Sequence, residues 1–329
     1  MKLGITVVYF VKKDEGWLID LHLKYIRRYT DVPYKIYAAA ERLLPEYRYK
    51  IENADDIVIC KPGPTNEIAG KENSFYLEQL FQVAVDDGCT HIATFHVDSF
   101  PLQNNWAGYL SGKLEKGCQL AAIERAEEND HKPHSSFMFF GVDYYLKYKP
   151  ALRLEEEAKN EGLYRKYLRR FPHVQDSGFG FGYQLYKDHL QWYRMNRSNK
   201  KYAGTFFGGI YDDLVFHLGG AGFTILVSRK DKIWYWRKEA VIKYIFKLLR
   251  FVRIDTRLLE KKYLPGFDKS KSRRRISTKN NAISKNIKER LLTDPDQFFN
   301  FVRKNNLKNE SPRRKQRSIR ITDGLTRRL

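Results

Sequence analysis

The sequence predicts an α/β fold with a mainly parallel sheet flanked by helices, followed by a basic helical extension. Three observations carry this. Short β-branched and aromatic runs alternate with segments of helical spacing, in the order strand–helix–strand–strand–helix–strand. The chain has 329 residues, of which 42% are hydrophobic and 15% aromatic, enough for a large core and too many for a disordered chain. The charge is unevenly placed. From Arg229 onward there are 31 Lys and Arg against 10 Asp and Glu, whereas before it 29 stand against 29, so the whole +21 lies in the last third. This division predicts a catalytic or binding unit over 1–228, an amphipathic helical segment over 229–268 and a basic, mobile tail over 269–329.

Leu3–Val11 (LGITVVYFV) reads as a buried strand. Trp17, Leu18, Leu21, Tyr25 and Ile26 fall at helical spacing within Gly16–Tyr29. Tyr34–Ala40 and Asp56–Cys60 are further strands, and Lys61–Lys71 is a Pro- and Gly-rich loop. Leu77, Leu80, Phe81, Ala84 and Val85 make one apolar face, which predicts a helix over Ser74–Val85. Thr90–Phe95, Leu120–Ile123 and Ser135–Gly141 read as strands, and Ala151–Arg170 as a charged helix. Gly208–Phe223 reads as turn, short helix and Gly turn, and Thr224–Val227 as one more strand.

Cys60, Cys89 and Cys118 are too scattered for a disulfide framework or a Cys-rich zinc site, which points to a reducing compartment. The first apolar run is too short for a signal peptide, and no run reaches the ~20 residues that span a bilayer. A cytoplasmic protein, peripheral on the cytoplasmic face of a membrane, is expected.

His96-Val97-Asp98 carries the strongest chemical signal. It stands where a central strand ends, and ligands of open α/β sheets bind outside the carboxyl ends of the strands. Two donors separated by one residue on an extended turn point to the same side. That arrangement suits Mn²⁺ or Mg²⁺ bridging a diphosphate, with the metal offsetting charge on the leaving group.

Strand Leu3–Val11, helix Ser74–Val85, strand Thr90–Phe95 and turn His96–Ser99, in this order, resemble the GT-A glycosyltransferases, in their family-2-like branch, across about residues 3–228. The resemblance implies a GT-A-like (Rossmann-like) sheet and transfer of a sugar from a nucleotide-sugar donor to a glycan or lipid-linked glycan acceptor. It implies metal ligands at His96, Asp98 and His217, and donor binding by Tyr9, Glu41, Asn66, Lys71 and Asp98. Asp176-Ser177-Gly178 looks like the Asp-Thr/Ser-Gly turn, and Asp212-Asp213 like the late acidic turn, which makes Asp213, Asp212 and Asp176 candidate catalytic carboxylates. His96 stands where the pattern has its first Asp, which moves the preference toward Mn²⁺.

Plainer readings exist for each residue. Asp98 can be a turn residue before Pro101, His96 and His217 core histidines, Asp176 a turn former, and Asp212-Asp213 the start of a helix. Asn66 and Lys71 can be loop surface. Competing functions are a polyanion- or nucleic-acid-binding protein and a metal-dependent phosphoesterase or nucleotidyltransferase. Nucleic acid is not the expected partner, because the first 228 residues are electrically neutral and no nucleic-acid motif is present.

In Glu239–Arg257, Lys243, Lys247, Arg250, Arg253 and Arg257 cover a sector of roughly 120° against a wide apolar face. Trp234, Tyr235 and Trp236 precede it as interface anchors would. Lys269–Arg275 and Pro312–Arg320 are charge runs suited to an anionic membrane surface.

Overall fold

A computed structural model describes residues 1–67, 70–128, 130–154, 160–171, 177–201, 207–219, 244–245 and 282–304. Strand Thr224–Val227, Asp176, nearly all of the helix Glu239–Arg257 and both charge runs lie outside the described residues.

The fold is α/β. A seven-stranded mixed sheet, mostly parallel, is built from β1 (Leu3–Val8), β2 (Tyr34–Ala39), β3 (Ile57–Cys60), β4 (His91–His96), β6 (Leu120–Arg125), β7 (Asp130–Gly141) and β8 (Trp192–Met195), in the order β3-β2-β1-β4-β7-β6-β8. β3, β2, β1 and β4 pair in parallel, β7 runs antiparallel to both β4 and β6, and β8 is parallel to β6. All six residues of β1 are buried, because α1 (Trp17–Tyr29) covers one face of the sheet and α3 (Gly70–Asp86) the other. Gly4 is what lets α3 approach, since a Cβ there would lie 2.9 Å from the Ala84 Cβ.

β1 stops at Val8 rather than Val11 because the Phe10 N–H turns back to the Val8 carbonyl, at 3.0 Å. Of the helix expected over Ala151–Arg170, the described residues show α6 (Gly162–Arg170), while 151–154 are not helical and 155–159 lie outside the described residues. The first residues of that span spend their backbone on tertiary bonds: the Leu152 N–H goes to the Glu78 carboxylate and the Leu152 carbonyl accepts from Gly178 and Gly180. The elements not foreseen are short or weakly patterned. They are α2 (Pro45–Glu52), α4 (Trp106–Glu115), α5 (Val142–Tyr148), α7 (Phe179–Lys187), β8 and the small sheet below.

That second sheet has three antiparallel strands, β5 (Ser99–Pro101), β10 (Val215–His217) and β9 (Gly209–Tyr211), in the order β5-β10-β9. It corrects the short helix expected within Gly208–Phe223. Asp212 and Asp213 adopt φ 48° and 57°, and the Leu214 N–H bonds to the Tyr211 carbonyl. The register Val215↔Tyr211 makes Asp212–Leu214 a three-residue connection whose first two residues have positive φ. Asp tolerates that conformation, so the Asp-Asp pair turns a hairpin instead of starting a helix.

Within the expected tail, the described residues 282–304 form helices α8 (282–293) and α9 (Pro295–Lys304), which pack on the first unit. Ile287, Leu291, Phe298, Phe299 and Val302 are buried in the same cluster as β1 and α1. Phe299 packs on Tyr25, Phe100 and Phe216, with ring centroids 5.4, 6.0 and 4.9 Å away, so α9 lies against the small sheet. Asp296 pairs with Arg28 at 2.8 Å, and Lys288 pairs with Glu15.

Candidate metal centre

The carboxyl ends of β1–β4 lie at one edge of the large sheet, together with the N-terminus of α3. β4 ends on His96, and the chain turns through Val97 and Asp98 into β5. Ser99 ties this turn down. Its Oγ accepts the His96 N–H at 2.8 Å and lies 2.5 Å from the Ser136 carbonyl, to which it donates. From behind, His22 Nδ1 meets the Ser99 carbonyl at 2.9 Å.

β5 pairs with β10 in the register His217↔Ser99, which brings His217 beside Asp98. His217 Nε2 is 3.7 Å from Asp98 Oδ1. Backbone closes the arrangement: the Leu218 N–H donates to the Asp98 carbonyl at 2.9 Å, and the Gly219 N–H to Asp98 Oδ2 at 3.1 Å. Asp98 is only 3% exposed, so its charge sits largely out of water.

One ligand atom from each of His96, Asp98 and His217 lies within 4.8 Å of the others. Donors ~2.1 Å from a single ion stand roughly 3–4 Å apart, so small rotamer adjustments let all three bind one cation. Burial, reinforced by the Arg125 and Arg197 cations, pushes the His217 imidazole down to about 3. The ring is therefore neutral and keeps the lone pair a metal needs. Two imidazoles and one carboxylate favour Mn²⁺ or a later transition metal over Mg²⁺.

His134, which the sequence reading missed, completes the surroundings. Its ring lies 6.1 Å from that of His96 and 5.7 Å from that of His217. It is held by Ser136 Oγ at 2.7 Å, and burial with the Arg125 and Lys132 cations presses its basicity far down. The available signal was the polar His134-Ser135-Ser136 run entering an otherwise apolar strand. Lys132 and Asp130 of the same strand form a compact group with Arg125 at the end of β6, with Asp130 within 2.8 Å of both cations.

The other expected site residues are dispersed. Tyr9 is fully buried in the core cluster, with its ring edge-on to His22. Glu41 is on the surface after β2, its carboxyl pushed up by loss of surrounding water. Asn66 and Lys71 are exposed, and Lys71 pairs with Glu67 at 3.5 Å. Asp212 and Asp213 stand at the hairpin turn, at the far end of β10 from His217. Asp212 Oδ1 accepts the Asn196 N–H at 3.1 Å and Asp213 Oδ1 accepts from Ser198 at 2.9 Å, so neither carboxylate joins the histidines.

Asp176 lies outside the described residues, but the turn that follows it is near the centre. Ser177 Oγ meets Ser74 Oγ at 2.8 Å and donates to the Gly70 carbonyl at 3.0 Å. Gly178 has φ +91°, and a Cβ there would come 2.4 Å from the Pro133 carbonyl. The glycine thus seats α7 directly on β7, one residue from His134. No protein-family model matches the chain, and no curated protein matches it.

Proposed function

We propose that the chain is a metal-dependent glycosyltransferase of GT-A-like architecture. It moves a sugar from a nucleotide-sugar donor to a glycan or lipid-linked glycan acceptor, with Mn²⁺ preferred to Mg²⁺. The observation that carries the reading is the convergence of His96, Asp98 and His217 at the carboxyl edge of the parallel strands. Ligands of open α/β sheets bind there. The N-terminus of α3 stands at the same edge of the sheet, where its free backbone N–H groups suit a diphosphate.

His96, Asp98 and His217 would hold the ion, and Ser99, His22 and the Gly219 N–H hold those ligands. A bound divalent cation supplies charge neutralisation to the departing nucleoside diphosphate. The chain's own part is to fix the donor across the triad and keep the Asp98 turn from swinging. The expected place of action is the cytoplasmic face of an anionic membrane, reached by the basic segment after Arg229.

The test is a panel of nucleotide sugars assayed for transfer and hydrolysis with Mn²⁺, with Mg²⁺ and with chelator. Mn²⁺-dependent turnover of one donor is expected, and Asp98→Asn should lower it about 100-fold or more, with the fold intact by circular dichroism. An Asp98→Asn protein with parental turnover would overturn the assignment. Two histidines and one carboxylate are also the donor set of non-haem Fe(II) oxygenases, which is the second reading. Oxygen consumption with Fe(II), in the absence of donor turnover, would favour it.

A further inference from the structure

α6 is a nine-residue helix, GLYRKYLRR, with four cations and no acidic residue. Tyr164 and Tyr167 are buried against Phe179 and Tyr183 of α7, with ring centroids between 5.1 and 6.0 Å. At 100° per residue, Arg165, Lys166, Arg169 and Arg170 spread over a sector of about 140° directly opposite those tyrosines. All four are exposed. Among the described residues none has an ion-pair partner, although the first 228 residues as a whole balance their charges. Half-buried Leu163 and Leu168 stand at the two shoulders of the cationic sector. A groove of about 590 Å³ is lined by Gly162, Arg165, Leu168 and Arg169.

Cations held a few ångströms apart on one helix face repel one another, and among the described residues no carboxylate pairs with them. We infer that the cationic face of α6 docks the folded unit on an anionic phospholipid surface, with Arg165 and Arg169 taking headgroup phosphates across the groove. The tyrosine cluster fixes the helix to α7, and α7 is seated on β7 beside His134. A bilayer at α6 therefore lies next to the wall of the metal centre opposite β1–β3. Each cation near such a surface contributes on the order of 1 kcal/mol, and the attachment is electrostatic, without insertion. This inference is independent of what reaction the metal centre performs.

The experiment uses the full chain and two variants of equal charge change. Arg165→Glu/Arg169→Glu reverses the α6 face, and Lys13→Glu/Lys116→Glu reverses two exposed cations elsewhere. Sedimentation with vesicles of phosphatidylglycerol and phosphatidylcholine at low salt should show the α6 variant binding at least tenfold more weakly than the control variant. The difference should vanish at high salt. A bimane label on Leu168→Cys, in a Cys118→Ser background, reports the face directly. Anionic vesicles should shield it from acrylamide, while the same label on Tyr49→Cys of α2 stays accessible. Equal loss of binding in the two charge variants, or an unshielded label at 168 while the protein is vesicle-bound, overturns the proposal. So does tighter binding of the parent chain to duplex DNA than to anionic vesicles, with the label shielded only by DNA.

Discussion

Asp98 shows how much one residue can organise. Its backbone carbonyl and both carboxylate oxygens face partners from the strand exit at His217–Gly219. The spacing His-x-Asp at a strand end was legible because the apolar run of β4 stops abruptly there. His134 was not legible, because nothing local distinguishes a polar residue at a buried strand end from one in a turn. His22 is the less visible support. It is fully buried, its Nδ1 holds Ser99, and burial pushes it down to about 3. In the unfolded chain it takes up a proton near its ordinary value of about 6.5. The unfolded state therefore binds more protons than the native state between about 6.5 and about 3, and stability falls as pH drops through that window. His22→Asn, which keeps a donor toward Ser99, should make the thermal midpoint less sensitive to pH between neutrality and pH ~5. A parallel pH slope in parent and variant would mean that His22 is already protonated in the folded protein.

Among the elements, those with a long periodic signal were legible to within a few residues. α1, α3, β1, β2 and β4 match their expected spans because each pairs or packs along its full length. The three-residue strands of the small sheet carry no periodicity, and they exist because β5, β10 and β9 complete one another's hydrogen bonds. The Asp212-Asp213 turn joins β9 to β10 in the register His217↔Gly209 and so supports the strand whose other edge pairs His217 with Ser99. Asp213→Val should cost about 1–2 kcal/mol in urea unfolding, since a β-branched residue is strained at positive φ. It should also weaken Mn²⁺ binding in calorimetric titration. Asp213→Asn accepts the same backbone and should leave turnover close to that of the parent. Loss of turnover in Asp213→Asn with an unchanged thermal midpoint would instead make this carboxylate a catalytic group.

At the scale of the whole molecule, the charge division was legible, but its meaning differs from the one expected. Basic residues from Arg229 onward suggest an extension apart from the fold, yet 282–304 packs under the small sheet. The pattern Ile283, Ile287, Leu291 was present between two charge runs that drew attention away from it. Phe299 sits among Tyr25, Phe100 and Phe216, so the end of the chain supports the strands that carry Asp98 and His217. Phe299→Ala should cost about 3–5 kcal/mol of stability, read from the urea midpoint at constant slope. A cost within experimental error of zero would detach this helix from the domain.

The meeting of Asp98 with the strand exit at Gly219 joins positions 121 apart in the chain. A cation held between them would act as a reversible clasp on the long excursion of β6, β7 and α5–α7. Closing so long a loop restricts the unfolded chain only weakly more than closing a shorter one, so the gain comes mainly from mass action. Mn²⁺ at a hundred times its Kd should add about 2.7 kcal/mol to stability. The intervening elements should then resist proteolysis together, and the effect should disappear in Asp98→Asn. Occupancy of the centre is thus written into the mechanical integrity of half the domain, and it can be followed without any substrate.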